Sequence, residues 1–328
     1  METQAVTDKV PRLSIVIPTF RRPEFLPRAV ASALACAQAG EVEVIVVPNG
    51  ADCSWQRSLA PFQGNPALRI APIARANANS ARNQGLALAR GTYIRFLDDD
   101  DRLDATGVTA QLHKIESSRA EICSGAIRVI DDHGQVLGIM RQADQHDLFI
   151  AMVRPGRVCL PTAHVFRRIA LGDLRWNEQL DVEQDTDWMF RIASTRQWNW
   201  VVLDDVVGEW KQHPGVRTSG TITHDRRSRL ACATIFQAVN RLRSTDNFDQ
   251  RRALGVAEAL WEFAHANFHL APMYWTRIIR IARTYDSDAG PMDPFFSGRL
   301  ARHIDPLLIE WAMIPKRRLN DLWRLLRL

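Results

Sequence analysis

The sequence has no CxxC pair among its five scattered cysteines, Cys36, Cys53, Cys123, Cys159 and Cys232. That excludes a zinc ribbon and a thioredoxin-like redox motif. An odd set of unclustered thiols is the pattern of a reducing compartment, so a cytoplasmic protein is expected. No stretch approaches the ~18 uninterrupted apolar residues of a membrane span. The opening METQAVTDKVPRL lacks the apolar core of a secretory leader, so none is expected. No GxGxxG follows the first apolar run, and no GxxxxGKS/T phosphate loop is present. The first absence removes the usual signature of a dinucleotide-dependent oxidoreductase. There is no internal repeat and no low-complexity tract. The net charge of +5 suits an anionic ligand or membrane surface but is too small to argue for nucleic acid.

What is present is an ordinary globular balance over 328 residues, 46% hydrophobic and 24% charged, enough for one large domain or two modest ones. LSIVIP (13–18), EVEVIVV (41–47), LRIAPI (68–73) and TYIRFL (92–97) read as strands. Residues 23–38 and 79–91 between them carry helical spacing. Strands alternating with helices predict an α/β fold with a mostly parallel sheet and flanking helices. Ligands then bind beyond the carboxyl ends of the strands, where PTFRR, PNGAD and DDDD should converge. A helix is predicted at 104–118, a strand and turn from 121, strand-like runs at 160–168 and 198–207, and a helix over 181–195. Beyond about residue 222 the text changes to successive amphipathic helices. The expected division is therefore 1–222, an α/β domain, and 223–328, a helical region for acceptor, membrane-surface or oligomer contacts.

YIRFLDDDD (93–101) carries the strongest chemical hint. In an extended chain Asp98 and Asp100 share one side and Asp99 and Asp101 the other. A same-side pair can face a divalent cation, and hard oxygen donors suit Mg²⁺ or Mn²⁺ shared with substrate phosphates. The competing reading is a solvated acidic turn in which Asp101 or Asp104 caps the next helix. Arg95 is odd in this strand: either one face of the strand is wet, or Arg95 pairs with an acid elsewhere.

SIVIPTFRRPEFLPRAVASAL, VEVIVVPNGAD, NSARNQGLALARGTYIRFLDDDD and EQDTDWMFRIA occur in that order. Together they resemble the large inverting family 2 of nucleotide-sugar-dependent glycosyltransferases, which adopt the GT-A (Rossmann-like) fold. The resemblance covers about residues 12 to 218. It implies that Pro18, Thr19 and Phe20 form the loop whose backbone meets the nucleotide base, with Arg22 near the base or the diphosphate. Asn49 stands where the family usually has a base-binding aspartate. Arg82 and Asn83 match a segment that holds the base or the diphosphate. Asp98-Asp99-Asp100 resembles the family's DXD motif, with Asp98 near the ribose or the metal and Asp100 the main ligand of Mn²⁺ or Mg²⁺. In EQDTDW, Asp185 matches the catalytic base and Gln184 replaces a usual glutamate; capping of the helix by Asp185 or Asp187 is the plainer alternative. His213, in WKQHPG, matches a late histidine that can complete the metal site or touch the phosphates, or is an ordinary loop histidine.

The resemblance implies transfer of a sugar from a nucleoside-diphosphate donor to a saccharide or lipid-linked acceptor in surface glycan assembly. A nucleotidyltransferase on a similar frame is weakened by the lack of glycine in PTFRRPEF. A catalytically weak nucleotide-sugar-binding scaffold draws on Asn49 and Gln184. His265 and His269, four apart, can share a helix face as a metal pair or sit as ordinary helix histidines. Trp188, Trp198, Trp200 and Trp210 are either an acceptor-side aromatic cluster or core. The basic amphipathic PKRRLNDLWRLLRL can lie on the inner face of an anionic membrane, on its own domain, or on a second subunit.

Overall fold

The computed structural model of the chain describes residues 10–36, 41–212, 223–299 and 301–325. They divide into two compact units. One holds the described residues up to 148 together with 158–192 and 198–212. The other holds 149–157, 193–197 and the described residues from 223 onward.

Among the described residues the first unit is built on a nine-stranded sheet. Its first half is parallel: β1 (Leu13–Thr19), β2 (Val42–Pro48), β3 (Leu68–Ile70) and β4 (Tyr93–Phe96), in the order β3-β2-β1-β4. Each residue of β1, β2 and β4 is buried, as their continuous apolar runs require of strands covered on both faces. The crossovers carry α1 (Leu26–Leu34), the short α2 (Trp55–Leu59) and α3 (Ala78–Leu88). Leu26, Ala29, Val30 and Ala33 of α1 fall on one stripe and are fully buried.

Beyond β4 the sheet becomes mixed. β5 (Arg102–Leu103) precedes α4 (Ala105–Ser117), then come β6 (Ile122–Ile130), β7 (Val136–Met140) and α5 (Leu148–Val153). β8 (His164–Arg167), α6 (Gln184–Ala193) and β9 (Trp200–Lys211) follow. β8 lies antiparallel between β4 and β6, and β9 is parallel to β6. Asp104 caps α4 by accepting from the Gly107 N–H at 2.9 Å. Gly107 also marks a backbone contact, because a Cβ there would lie 1.9 Å from the Val206 carbonyl oxygen. Gly107→Ala should therefore cost about 3 kcal/mol through overpacking against β9, read as a fall in the urea midpoint at unchanged slope.

Arg95 is fully buried, and neither expectation for it holds. Among the described residues no wet face and no acid receives it. It donates to the Thr162 carbonyl at 2.9 Å and to the Gln111 side-chain oxygen, while Gln111 donates to the Cys123 and Ala163 carbonyls. Burial draws the Arg95 pKa down to about 10. Trp188, Trp198 and Trp200 are buried too, which makes them core rather than an exposed acceptor platform. Trp188 stacks on Trp176 with ring centroids 4.7 Å apart, and both meet Phe96 edge-on.

The second unit contains all of α5 but Leu148, together with α7 (His224–Ser244), α8 (Gln250–Asn267), α9 (Pro272–Tyr285) and α10 (Pro306–Leu325). Its core includes Ile235, Leu242, Leu260, Trp261, Phe268, Trp275 and Ile279. None of the described helices is long and apolar enough to cross a membrane.

Candidate active site

β1 is flanked by β2 on one side and β4 on the other, so successive crossovers leave it in opposite directions. A crevice opens at such a point beyond the carboxyl ends of the strands. Pro18 and Thr19 end β1, Phe20 and Arg22 follow it, and Asp98 to Asp101 follow β4. Asn49, buried just past β2, donates its side-chain amide to the Thr19 carbonyl at 2.9 Å. Its backbone N–H donates to the same oxygen at 3.0 Å. Gly50, at φ 82°, completes the turn. The Arg21 N–H donates to Asp52 at 3.1 Å and ties the two loops together. Phe20 is exposed, with the Arg21 guanidinium 4.9 Å from its ring centroid.

The four aspartates do not alternate. The Asp101 N–H donates to the Asp98 carbonyl at 3.1 Å, which closes a turn. The turn swings Asp101 to the side of Asp98 and Asp100, and oxygens of all three lie within 4.8 Å of one another. Asp98 and Asp100 do share a side as expected, but the placement of Asp101 opposite them fails because the chain bends immediately after β4. Of the alternative reading, the turn and the cap on the next helix hold, the cap supplied by Asp104, but the turn is not solvated, since Asp99, Asp100 and Asp101 are buried. Asp99 is not part of that group: Thr19 donates to it at 2.7 Å and Arg22 at 3.3 Å. Arg22 also donates to Asp100 at 2.6 Å. Burial raises Asp99 to about 7 against the opposing pull of Arg22. Burial, then repulsion from Asp100 and Asp98, holds Asp101 well above the usual carboxylate range. Asp101 is tethered by the Thr162 hydroxyl at 3.1 Å and the Lys211 N–H at 3.3 Å.

Arg82 joins this cluster to α6. It is buried on α3, with its guanidinium 4.4 Å from the centre of the Trp176 ring. It donates to Asp98 at 2.7 Å, to Gln184 at 3.0 Å and to Asn79 at 3.0 Å, and lies 3.7 Å from Asp185. Burial disfavours its charge, yet Asp98 and Asp185 hold its pKa above the ordinary value. Asp185 sits in the first turn of α6, after Glu183 at a φ of 54° that non-glycine residues rarely adopt. Its Oδ1 is enclosed and accepts no hydrogen bond among the described residues. Burial first, and then Asp98, raise the Asp185 carboxyl, and Arg82 opposes them.

Asn83 is occupied differently. Its amide donates to the Trp176 carbonyl at 3.0 Å and to Glu178 at 2.8 Å, and its oxygen accepts the Trp176 N–H at 2.8 Å. It fastens the 176–178 loop to α3. His213 lies outside the described residues. Neither Trp176 nor Glu178 carries a local sequence signal, whereas Asp101 is visible in the acidic run and only its side of the chain differs from strand alternation. His265 and His269 form no metal pair: each lies against carboxylates of its own unit. Among the described residues Asp98, Asp100 and Asp101 are the group placed to hold a metal. Three hard carboxylates crowded in a buried place fit a divalent cation, whose charge relieves their mutual repulsion.

The model of glycosyl transferase family 2 matches residues 14–192. The succinoglycan biosynthesis protein ExoO of Rhizobium meliloti is 30% identical over 140 residues, covering 42% of this chain and 39% of that one. The GalNAc(5)-diNAcBac-PP-undecaprenol beta-1,3-glucosyltransferase of Campylobacter jejuni is 23% identical over 192 residues, 55% of this chain and 59% of that one. The chain thus spans less than two thirds of the length of these curated relatives. Among solved structures, residues 1–349 of S. aureus TarS in complex with UDP-GlcNAc superpose with a TM-score of 0.64 at 16% identity, over 84% of this chain and 81% of that one. With the family's match spanning more than half of its residues, this chain belongs to glycosyl transferase family 2 and has the GT-A fold.

Proposed function

We propose that the protein transfers a sugar from a nucleoside-diphosphate sugar to a hydroxyl of a saccharide or lipid-linked acceptor, with inversion at the anomeric carbon. The observation that carries this reading is Arg82, which bonds Asp98 of the acidic cluster at 2.7 Å and lies 3.7 Å from Asp185. A group that can hold a diphosphate and a candidate base are thereby fixed relative to one another. Family membership supports the donor class, and the Campylobacter relative, named for an undecaprenol-linked substrate, supports a lipid-linked acceptor.

Asp98 and Asp100, with Asp101 beside them, would hold Mn²⁺ or Mg²⁺. When bound, the ion supplies positive charge to the diphosphate leaving group. Arg22 lies at the same end of the sheet, where it can take a phosphate oxygen by charge-assisted bonds. Asp185 accepts the proton of the attacking hydroxyl, and its raised pKa lies closer to working pH than that of an ordinary carboxylate. The loops of Pro18, Thr19, Phe20 and Asn49 form the wall for the base. The first unit is the donor-binding domain, and the helical unit serves acceptor, membrane or subunit contacts.

The test is nucleoside diphosphate release from a panel of UDP, dTDP and GDP sugars with Mn²⁺ and with EDTA. We expect metal-dependent release with at least one donor, lost with EDTA and reduced at least about 100-fold in Asp100→Ala. Release that ignores both EDTA and Asp100→Ala would remove the acidic cluster from the reaction.

A further inference from the structure

Helix α10 turns polar as well as apolar residues toward its own unit: Ile309 packs with Phe296, Ala301 and Met313. Its acids and one arginine face its own unit. Glu310 is 0% exposed, with His265 Nδ1 2.5 Å from one oxygen and Arg317 donating to the other at 2.8 Å. Arg317 also donates to the His265 carbonyl at 2.7 Å, and His269 Nε2 lies 2.8 Å from Asp321. Both acids of the helix and Arg317 are thus engaged by His265 of α8 and by His269 just beyond it.

The outward side is apolar. Leu308, Leu319, Leu322 and Trp323 are 63%, 58%, 57% and 62% exposed. At helical spacing they share an arc of roughly 100° with Ala312 and Pro315. Lys316 borders one edge of that arc; Arg318 and the half-exposed Trp311 border the other. Arg318 is held at its edge by donating to the His269 carbonyl at 3.2 Å. An apolar stripe with basic margins and tryptophans has the pattern of a helix lying at a lipid–water boundary.

We propose that α10 docks on the surface of an anionic lipid bilayer. Its apolar face enters the acyl boundary, and Lys316 and Arg318 meet headgroup phosphates. Charge selects this occupant over a second copy of the chain. Glu310 and Asp321 are engaged with the histidines, so a two-fold pairing of this face would set basic margins together with no acid of the helix left to match them. The inference is independent of the active-site reading, since binding is measured without any sugar donor.

The experiment is sedimentation of the full chain with phosphatidylglycerol-rich vesicles, in parallel with pure phosphatidylcholine, at low and high salt. We expect binding to the anionic vesicles that weakens with salt. Lys316→Gln/Arg318→Gln should weaken it roughly 30-fold, at about a fivefold loss per basic residue. Leu319→Glu/Trp323→Glu should abolish it with the melting temperature unchanged, because both side chains are exposed. Absence of the wild-type chain from the vesicle pellet would overturn the proposal, as would equal binding by Leu319→Glu/Trp323→Glu. A wild-type dimer that ignores vesicles and becomes monomeric in that double variant would overturn it too, and would assign the face to a second copy.

Discussion

Asp185→Asn lowers the turnover number of sugar transfer by about 10²–10⁴-fold, the usual contribution of a positioned general base. Donor and metal affinity stay within a factor of about two. The change is nearly isosteric and removes the carboxylate's charge and with it the ability to take a proton. Stability separates this outcome from a structural one. Asp185 is raised in the folded protein by burial and by Asp98. A carboxyl raised on folding contributes its stability below its unfolded pKa of about 4 and loses it as pH rises through the folded value. At pH 8 without metal the charged form therefore opposes folding, and the neutral asparagine relieves that. The variant should melt at the same temperature as the parent or higher. In the parent, the rate should fall with acid at a pH above the ordinary carboxylate range, because the base must be unprotonated. A variant that transfers at the parental rate, or that loses activity only by melting early, would move the base elsewhere.

Arg82→Met loses about 3 kcal/mol of stability, since removing one partner of a buried pair strands the other. Met keeps an apolar stem over Trp176 but leaves Asp98 without the 2.7 Å donor and Gln184 without its 3.0 Å one. The kinetic signature is specific. Arg82 draws the Asp185 pKa down, so its loss lets burial and Asp98 push that carboxyl higher. The acid side of the pH–rate profile should move to higher pH, and activity at pH 7 should fall at least about tenfold even at temperatures where the variant is folded. Arg82→Lys restores charge without the planar fork and should recover part of the stability and little of the rate. An unchanged pH profile in folded Arg82→Met would show that the two carboxylates act independently of the guanidinium.

Much of the first unit was legible because its signals are local. β-branched runs, the helical spacing of 26–34 and the sheet-end position of PTFRR, PNGAD and DDDD need only neighbours in the chain, and four ordered motifs named the family. The mixed half of the sheet was less legible: the four-residue β8 is defined by its pairing with β4 and β6, not by a pattern of its own. In the site, pairwise alternation misplaced Asp101, since one backbone hydrogen bond turns the chain after β4 and reassigns which carboxylates face each other.

The sequence by itself determined that strands alternate with helices, that acids follow the fourth strand, and that an aspartate opens the α6 segment. Only the tertiary structure decided that Arg95 needs no acid, because its acceptors are a carbonyl and an amide oxygen from 67 and 16 residues away. It alone decided that Arg82 links Asp98 to Asp185 across separate elements. It alone turned the apolar side of α10 outward, because buried Glu310 and its histidine and arginine partners fix which face packs inward. Periodicity gives a helix two faces, but the partners waiting on the neighbouring helix choose between them.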